Sequence, residues 1–326
     1  MDIQGIYTFL RPNLDRVEAR MEASLRSDIA LLDGINRRLR EHPGKMLRPM
    51  LALLVAEACG GVTEDTLRFA AAAELLHNAT LLHDDVVDGA THRRGMPTVS
   101  SLLGGSAAVL IGDYWLAKCL SLVLGGRRDT YRVLHLFAQT ISHLTEGELL
   151  QMQKATSADT CQEDYMRIIY GKTASLFEST ALSAALSVGA SEEVTRAMGD
   201  YALQLGLAFQ IKDDIFDYSD QAKALGKPVG IDLKEQKITQ PLLCALGKVP
   251  AQEQKRIRGL VARISDNPSL TDEVTAFVKA QDGVSLAVTQ MDIHIQTAIS
   301  LLDILPHTRA KDCLKELALL VGQRDS

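Results

Sequence analysis

Three aspartates, Asp84, Asp85 and Asp88, stand close together in the segment LLHDDVVDGATHRRG. On a helix, positions three and four residues apart share a face, so these carboxylates would lie side by side. Like charges so placed destabilise a helix by roughly 0.2–0.5 kcal/mol per pair. A divalent cation removes that repulsion, and Mg²⁺ binds carboxylates, retained waters and substrate phosphates. Taken alone, such a cluster is more often the solvated acidic end of a helix.

The same spacing recurs in Asp213, Asp214 and Asp217. Each cluster follows an apolar run predicted to be helical, at residues 70–82 and 203–211. Two copies, each closing an apolar run, are hard to attribute to solvated helix faces. We therefore expect the two clusters to face each other and to bind a diphosphate through bridging metal ions.

Basic residues accompany both clusters. In GKMLRP, Lys45 and Arg48 are three residues apart at the start of a predicted helix. Helix N-termini attract anions, and the Arg guanidinium binds phosphate oxygens in pairs. Arg93 and Arg94 begin five residues after Asp88 and could hold two different phosphate groups. For GKMLRP alone, an ordinary charged loop is the commoner interpretation.

Further cations lie in two later segments. GKTA contains Lys172 and Thr173, and KPVGIDLKEQK begins with Lys227 and ends with Lys237. These residues are expected to reach the second aspartate cluster. His77 lies two turns before the first cluster on the same predicted helix. A lone histidine is more often a satisfied core residue, but this one could point toward the same cavity.

Almost every segment has the apolar periodicity of an amphipathic helix. Apolar residues recur at spacings of three and four near the N-terminus and in eight later stretches. Gly and Pro fall between these stretches, and alternating strand patterns are nearly absent. The sequence therefore predicts a single all-α domain over residues 1–326, with about a dozen helices in a bundle around a central cavity. The first apolar set is Leu14, Val17, Met21, Leu25 and Ile29, and the later stretches are 47–58, 67–82, 107–124, 131–152, 176–188, 194–218, 260–264 and 286–304.

Composition narrows the class of protein. Apolar residues make up 46% of the 326 residues and charged residues 23%, which is typical of a soluble globular chain. The net charge of −6 gives no electrostatic basis for binding nucleic acid. The five cysteines include no CxxC pair, so neither a zinc site nor a redox motif is indicated, and reduced thiols favour a cytoplasmic location. No signal peptide is visible, and no apolar stretch reaches the roughly 18 clean residues of a membrane-spanning helix.

The motifs follow one another in a characteristic order: GKMLRP, LLHDDVVD, RRG, GKTA, FQIKDDIFD and GKPVGIDLKEQKITQP. Over residues 44–241 the chain resembles the trans-isoprenyl diphosphate synthases, and most of all the long-chain branch of octaprenyl and related polyprenyl diphosphate synthases. The resemblance implies the all-α isoprenoid synthase fold, usually as a homodimer. It also implies a Mg²⁺-dependent, head-to-tail condensation of isopentenyl diphosphate with an allylic diphosphate such as farnesyl diphosphate. The implied product is a long all-trans polyprenyl diphosphate, used in this family for quinone side chains.

The resemblance also implies a role for each motif residue. Both clusters would hold two or three Mg²⁺ ions on the allylic diphosphate from opposite walls. The ligands, which are also expected to be catalytic, would be Asp84, Asp85, Asp88, Asp213, Asp214 and Asp217. The isopentenyl diphosphate contacts would be Lys45, Arg48, His77 and Arg94. The allylic diphosphate contacts would be Arg93, Lys172, Thr173, Gln210, Lys227 and Lys237, of which Lys172 and Lys227 are also expected to be catalytic.

Two small residues, Ala79 and Thr80, lie about one turn before the first cluster. In this family, bulky residues at those places stop chain growth early, and small ones let the chain pass deeper. The product is therefore expected to be longer than geranylgeranyl diphosphate, with a deeper floor such as Phe137 or Ile141. The other interpretation is that Ala79 is small only because helices pack closely there.

Several alternatives stay open. A terpene cyclase is also α-helical and metal-dependent, but it resembles this chain at one aspartate motif only. A head-to-head condensing enzyme, such as a squalene synthase, lacks GKxxRP. A non-catalytic subunit of a heteromeric synthase typically loses the aspartate motifs, which are whole here. A shorter-chain geranylgeranyl synthase would differ only in its product. A transient membrane contact for product release is compatible with all the synthase interpretations.

Overall fold

Helices form nearly all of the part of the chain that the structure describes. The structure is a computed structural model and describes residues 3–40, 44–93, 95–218 and 230–323. Sixteen α-helices occur within those residues, and the prediction of an all-α protein is confirmed. In chain order they are α1 (Ile3–Leu25), α2 (Ala30–Arg40), α3 (Leu47–Cys59), α4 (Glu64–Val87), α5 (Val99–Leu103), α6 (Gly105–Leu124), α7 (Thr130–Ser157), α8 (Gln162–Ile169), α9 (Ser175–Val188), α10 (Glu192–Asp217), α11 (Ile231–Lys234), α12 (Gln240–Leu246), α13 (Ala251–Val261), α14 (Leu270–Ala280), α15 (Gly283–Leu301) and α16 (Arg309–Gln323).

Three short elements were not predicted. A π-helical turn (Tyr170–Ala174) joins α8 to α9, and a 3₁₀ turn (Leu302–Ile304) follows α15. A small antiparallel hairpin pairs β1 (His92–Arg93) with β2 (Met96–Pro97). Strands of two residues are too short to show an alternating pattern, so Gly95 and Pro97 predicted only a break between helical stretches.

The apolar face predicted for the first helix included one residue too many. Leu14, Val17, Met21 and Leu25 are buried on one face of α1, but Ile29 is 60% exposed and lies beyond the end of that helix. The backbone N–H of Ile29 donates to Ser27 Oγ at 3.2 Å. Serine side chains that bond nearby backbone groups compete with helix formation. The prediction for Ile29 was therefore wrong because a polar turn separates α1 from α2. The predicted stretch 260–264 was also wrong in its bounds, since α13 ends at Val261.

The chain divides into two compact units, each drawn from three stretches. The first consists of Met1–Ala138, Ser179–Gly199 and Ile304–Leu314, and the second of Gln139–Glu178, Asp200–Asp303 and Lys315–Ser326. The first aspartate cluster lies in the first unit and the second cluster in the second unit. Helix α16 contributes to both units, and in the first unit its Arg309 guanidinium lies 4.5 Å from the centroid of the Phe9 ring. The single domain expected over residues 1–326 stays a prediction.

Helix α4, which carries the first cluster, begins with a capping box. Thr63 Oγ1 accepts the backbone N–H of Thr66 at 3.1 Å, and Thr66 Oγ1 accepts that of Thr63 at 3.1 Å. The box satisfies two backbone donors that a helix N-terminus would otherwise leave unpaired. Beyond this cap, α4 packs against α1, α3, α5 and α6, and most of its apolar side chains from Leu67 to Leu82 are buried. The cluster therefore sits at the end of a firmly anchored helix.

Helix α6 packs closely along α4. A Cβ on Gly112 would lie only 2.3 Å from His83 Nε2, so glycine permits the approach. Among the described helices, α6 is the one whose length and composition would suffice to cross a membrane, with a mean hydropathy of 1.6 over 18 residues. The prediction that no apolar stretch is long enough to span a membrane excluded this segment because Asp113 and Lys118 interrupt it. Core helices of soluble proteins meet the same criterion, and 39% of the window is buried.

In the second unit, glycines bring three elements together. A Cβ on Gly171, in the π-helical turn, would lie 2.6 Å from a carbonyl oxygen of α7. A Cβ on Gly147 of α7 would lie 2.9 Å from a backbone nitrogen of the turn. On another side, a Cβ on Gly206 of α10 would lie 2.6 Å from Ala174 Cα. The π-helical turn is therefore held against α7 and α10 at positions that only glycine fits.

We predict that Gly171→Ala destabilises the protein. The added methyl group would overlap backbone atoms of α7, so α7 and the π-helical turn must move apart. Overpacking of this kind costs about 1–3 kcal/mol of unfolding free energy. Chemical denaturation followed by circular dichroism measures that change.

Gly259→Ala is the matched control. Gly259 lies inside α13, and a Cβ there would have no heavy atom within 4 Å. Alanine in place of glycine within a helix should stabilise the protein by about 0.5–1 kcal/mol. Equal unfolding free energies for the two variants would contradict the close contact between α7 and the turn.

Candidate active site

The first aspartate cluster lies at the carboxyl end of α4. Asp84 is half-buried, Asp85 is 4% exposed, and Asp88 is exposed as the capping residue of the helix. The carboxyl end of a helix carries partial negative charge, so an added carboxylate costs about 0.3–1 kcal/mol there. This end of α4 is therefore a place where bound positive charge stabilises the protein.

Asp85 has a cation supplied by the protein itself. Arg93 Nε donates to Asp85 Oδ1 at 2.7 Å. The hairpin sets the position of Arg93, which pairs with Met96, and Gly95 has a φ of 76° in the turn between them. The structure thus brings together two residues that were predicted to act on the allylic diphosphate. Their roles toward substrate and metal stay predictions.

The residues predicted to bind isopentenyl diphosphate belong to neighbouring elements of the first unit. Lys45 is exposed just before α3, and the Tyr7 hydroxyl donates to its backbone carbonyl. Arg48 is half-buried in the first turn of α3, which confirms the predicted helix start. His77 is half-buried on α4, and α4 packs against α3. Arg94, the fourth predicted contact, lies outside the described residues.

The residues predicted to set product length also lie on α4. Ala79 is 0% exposed, and Thr80 is half-buried with its hydroxyl donating to the His77 carbonyl at 2.8 Å. Burial of Ala79 agrees both with a narrow channel and with close packing, so its role stays a prediction. The two candidates for a deeper floor lie on α7, where Phe137 is fully buried and Ile141 is half-buried.

The second aspartate cluster lies at the carboxyl end of α10. Asp213 is exposed, Asp214 is 3% exposed, and Asp217 is half-buried as the last residue of the helix. The two carboxylate oxygens of Asp217 accept the backbone N–H groups of Ile231 and Asp232 at 3.0 and 3.1 Å. Because a carboxylate satisfies the exposed donors of a helix start, Asp217 ties α11 to the end of α10. Burial raises the pKa of Asp217, and these backbone hydrogen bonds oppose that rise.

Asp214 accepts hydrogen bonds on both oxygens. The Tyr165 hydroxyl donates to Oδ2 at 2.6 Å, and Gln210 Nε2 donates to Oδ1 at 3.0 Å. Burial raises the pKa of Asp214 to about 7, although both hydrogen bonds act to lower it. Gln210 Oε1 in turn accepts from the Thr173 hydroxyl at 2.8 Å. Three predicted site residues, Thr173, Gln210 and Asp214, are therefore joined in one chain of hydrogen bonds.

Lys172 lies on the π-helical turn and reaches α7. Its Nζ is 2.6 Å from Glu148 Oε2 and also donates to the Gln151 side chain. Interruptions of this helical type are frequent at functional sites. A cavity of about 170 Å³ brings Lys172 together with other predicted residues. The polar and charged residues that line it include Gln151, Lys172, Gln210, Asp214, Asp232 and Lys237.

Two residues of this cavity, Tyr165 and Asp232, were missed by the sequence analysis. Burial raises the pKa of Asp232 well above its usual range, and the neighbouring aspartates add to the effect. Asp232 lies inside GKPVGIDLKEQKITQP, so a carboxylate between the predicted lysines was a usable signal. Tyr165 lies on the buried face of amphipathic α8, where nothing in the local sequence distinguishes it from a packing residue. Lys227, predicted to be catalytic, lies outside the described residues.

The aspartates fit a divalent cation that takes its remaining ligands from elsewhere. Among the described residues, no group of three His, Cys, Asp or Glu side chains could hold a metal ion. Asp85, Asp214 and Asp217 accept hydrogen bonds from protein donors. Asp88 and Asp213 are exposed, so solvent and a bound ion can reach their carboxylates. Mg²⁺ is usually bound through one or two carboxylates plus waters and substrate phosphates. The donor set therefore suits Mg²⁺ shared between aspartates and a diphosphate.

Comparisons with known sequences agree with this chemistry. A family model described as polyprenyl synthetase matches residues 29–279. The octaprenyl diphosphate synthase of Haemophilus influenzae is 35% identical over 325 residues, which cover 100% of this chain and 98% of the relative. Component 2 of the heptaprenyl diphosphate synthase of Geobacillus stearothermophilus is 32% identical over 329 residues, which cover 100% of both chains.

A solved structure extends the agreement to three dimensions. The polyprenyl synthase of Caulobacter crescentus, complexed with calcium and isoprenyl diphosphate, matches with a TM-score of 0.90 and 29% identity. The match covers 100% of this chain and 98% of that one, and the predicted isoprenoid synthase fold is confirmed. Together with the full-length sequence matches, it shows that the chain belongs to the polyprenyl synthetase family.

Proposed function

We propose that the protein is a trans-polyprenyl diphosphate synthase, which condenses isopentenyl diphosphate head to tail with an allylic diphosphate such as farnesyl diphosphate. Repeated cycles would release pyrophosphate and give a long all-trans polyprenyl diphosphate. The similarity to an octaprenyl diphosphate synthase over the whole chain supports this product class. The observation that carries the proposal is the second-unit cavity, where Lys172 and Lys237 share a lining with Asp214.

The cations of the site would bind diphosphate and stabilise its developing charge. Lys172 is held by Glu148 and Gln151, so its ammonium group is oriented before substrate binds. Donors that are already oriented stabilise a transition state without reorganising during the reaction. Arg93, Lys237 and the predicted contact Lys227 would act on the same allylic diphosphate. Two or three Mg²⁺ ions, held by the six aspartates, would neutralise that group and improve it as a leaving group.

The bond changes in each cycle are few. The allylic C–O bond breaks, and its electron pair leaves with the pyrophosphate. The double bond of isopentenyl diphosphate, oriented by Lys45, Arg48, His77 and Arg94, attacks the allylic carbon. A proton from the adjacent carbon passes to the pyrophosphate and leaves a new double bond. The reacting carbons need an apolar environment that excludes water, because water would otherwise quench the allylic cation.

A product assay tests the proposed function. The purified protein is incubated with labelled isopentenyl diphosphate, farnesyl diphosphate and Mg²⁺, and the products are resolved by carbon number. A linear polyprenyl diphosphate supports the proposal, and its length separates a long-chain from a geranylgeranyl synthase. A cyclic hydrocarbon would indicate a terpene cyclase, and no product would indicate a non-catalytic subunit.

The proposed metal role predicts that Asp84→Ala and Asp213→Ala each lower turnover by about 10²-fold or more. Each change removes a carboxylate from a cluster that would share Mg²⁺ with the diphosphate. Removing a repelling charge from a helix end should leave the metal-free protein as stable or more stable. Steady-state rates and unfolding free energies measure the two effects separately.

Asp266→Ala is the control for those variants, since Asp266 is exposed and lies in neither cluster. Its turnover should equal that of the unchanged protein. Near-normal turnover of Asp84→Ala and Asp213→Ala, in Mg²⁺ free of contaminating metals, would rule out the metal role.

The product-length proposal predicts that Ala79→Phe shortens the product toward geranylgeranyl or farnesyl diphosphate. A phenyl ring one turn before the first cluster would block a chain growing along α4. If Ala79 is small only for packing, the same change would overpack the buried surface of α4. The cost would then be about 1–3 kcal/mol, with no change in product length. Chromatography of products from the folded variant decides between the two, and an unchanged length distribution would refute the channel.

We also propose that the protein forms a homodimer through the exposed apolar residues of α5 and α6. Leu102 and Leu103 on α5 are 47% and 43% exposed, and Leu110 on α6 is 68% exposed. Apolar patches of this kind commonly mark protein interfaces. The similarity to component 2 of a heptaprenyl diphosphate synthase favours a second candidate, a complex with a different component.

We predict that Leu110→Glu converts the dimer to a monomer, because a buried, unpaired carboxylate is costly at an apolar interface. Ile293→Glu is the control, since Ile293 is 52% exposed on α15, which belongs to the second unit and is not part of the proposed interface. Light scattering after size-exclusion chromatography gives the mass of each variant. If the wild-type protein is a monomer, the homodimer proposal is contradicted. A complex with a different component is then the remaining candidate.

The proposed setting is the cytoplasm, with the long product released to a membrane and used for quinone side chains. A polyprenyl chain is apolar along its whole length, so its release requires a lipid surface or a carrier. Transient contact with the membrane would satisfy that need. Cell fractionation, with recovery of the protein in the soluble fraction, tests the location.

A further inference from the structure

Tyr165 on α8 makes a hydrogen bond that packing alone would not require. Its side chain is 2% exposed, and its hydroxyl donates to Asp214 Oδ2 at 2.6 Å, across from α8 to α10. The neighbouring positions on the same buried face, Ile168 and Ile169, are apolar. A phenylalanine would fill the same space, so the hydroxyl has a function other than packing.

The carboxylate of Asp214 accepts hydrogen bonds from three different helices. Besides Tyr165, Gln210 Nε2 donates to it from α10, and the backbone N–H of Gln240 donates to it from α12. A buried polar group without such partners costs about 1–3 kcal/mol, and more if it is charged. The Tyr165 hydroxyl therefore fixes where the Asp214 carboxylate lies.

The hydrogen bonds that link Asp214 to Gln210 and Gln210 to Thr173 have a definite direction. Gln210 Nε2 donates to Asp214 Oδ1, and Gln210 Oε1 accepts from the Thr173 hydroxyl, so one side-chain amide joins the two residues. Thr173 sits next to Lys172 on the π-helical turn, which Gly206 allows to approach α10 closely. The orientation of Gln210 and Thr173 thus depends on the position of Asp214.

We infer that Tyr165 is a positioning residue for the allylic diphosphate site, acting through Asp214 and Gln210 on Thr173. This inference rests on the proposed synthase function and adds a residue to it. Tyr165 touches no reacting atom in this scheme.

Tyr165→Phe is the test, because it removes the hydroxyl and keeps the ring. We expect kcat/KM for the allylic diphosphate to fall about tenfold or more, since a buried oxygen of Asp214 loses its hydrogen-bond donor. The KM for isopentenyl diphosphate should stay unchanged, as should the thermal midpoint within a few degrees. Equal changes in both KM values, or a loss of stability that accounts for the loss of rate, would overturn the inference. A variant that does not fold would overturn it too, by assigning the hydroxyl to stability.

Tyr170→Phe is the matched control. Tyr170 lies at the start of the π-helical turn, and its hydroxyl also donates to a carboxylate, Glu178 Oε2, at 3.0 Å. That hydrogen bond is not part of the series that joins Thr173, Gln210 and Asp214. The control should keep the kinetic constants of the unchanged protein, and a loss equal to that of Tyr165→Phe would overturn the specific role of Tyr165.

A double-mutant cycle tests whether Tyr165 acts through Asp214. In the Asp214→Asn background, Tyr165→Phe should cause little further loss of kcat/KM, because coupled residues are not additive. Fully additive losses would overturn the proposed route.

Binding of inorganic pyrophosphate with Mg²⁺, measured by calorimetry, separates this inference from the proposed function. If the unchanged protein makes no polyprenyl product, the function fails, whereas the binding ratio between Tyr165→Phe and the unchanged protein still tests the positioning role. Weaker binding of about tenfold supports that role. Equal binding, or no binding to either protein, overturns it.

Discussion

Negative charge at the carboxyl end of a helix is the constraint on which each aspartate cluster depends, at α4 in the first unit and at α10 in the second. Each helix already ends in partial negative charge, and three aspartates add to it. The protein compensates one aspartate of each cluster in a different way. Arg93 forms an ion pair with Asp85, whereas the neutral side chains of Tyr165 and Gln210 donate to Asp214, and burial raises the pKa of Asp214 to about 7. The remaining negative charge makes each helix end a place where bound positive charge would stabilise the protein.

Close backbone contacts in the second unit position Lys172, the cation that shares a cavity with Asp214. Gly147, Gly171 and Gly206 let α7, the π-helical turn and α10 approach more closely than side chains would allow. Consecutive residues of the turn then serve different neighbours, since Lys172 reaches α7 and Thr173 reaches α10. The hairpin of the first unit is also short, and its four paired residues are enough to place Arg93 next to Asp85.

The sequence predicted those features that depend on spacing along one helix. The aspartate clusters, the apolar faces of α1 and α4, and the helix start at Arg48 all follow from local periodicity. Tyr165 could not be predicted, because its partner Asp214 is 49 residues away and its own neighbours look like core. Asp217 was expected to bind metal, yet its hydrogen bonds to α11 depend on a turn that periodicity does not describe. A single sequence therefore predicts the helices, but it does not predict the contacts between segments that are distant along the chain.

Because α16 contributes to both compact units, neither unit is complete until that helix has been synthesised. Its buried residues include Cys313 in the first unit and Leu317 in the second, at 0% and 1% exposure. Its Arg309 covers Phe9 of α1, a contact between segments that leave the ribosome far apart in time. At translation rates of about 5–20 residues per second, α1 would wait on the order of ten seconds or more for that partner. During elongation the nascent chain therefore displays apolar helix faces, and its yield in a cell should depend on chaperones that bind near the exit tunnel.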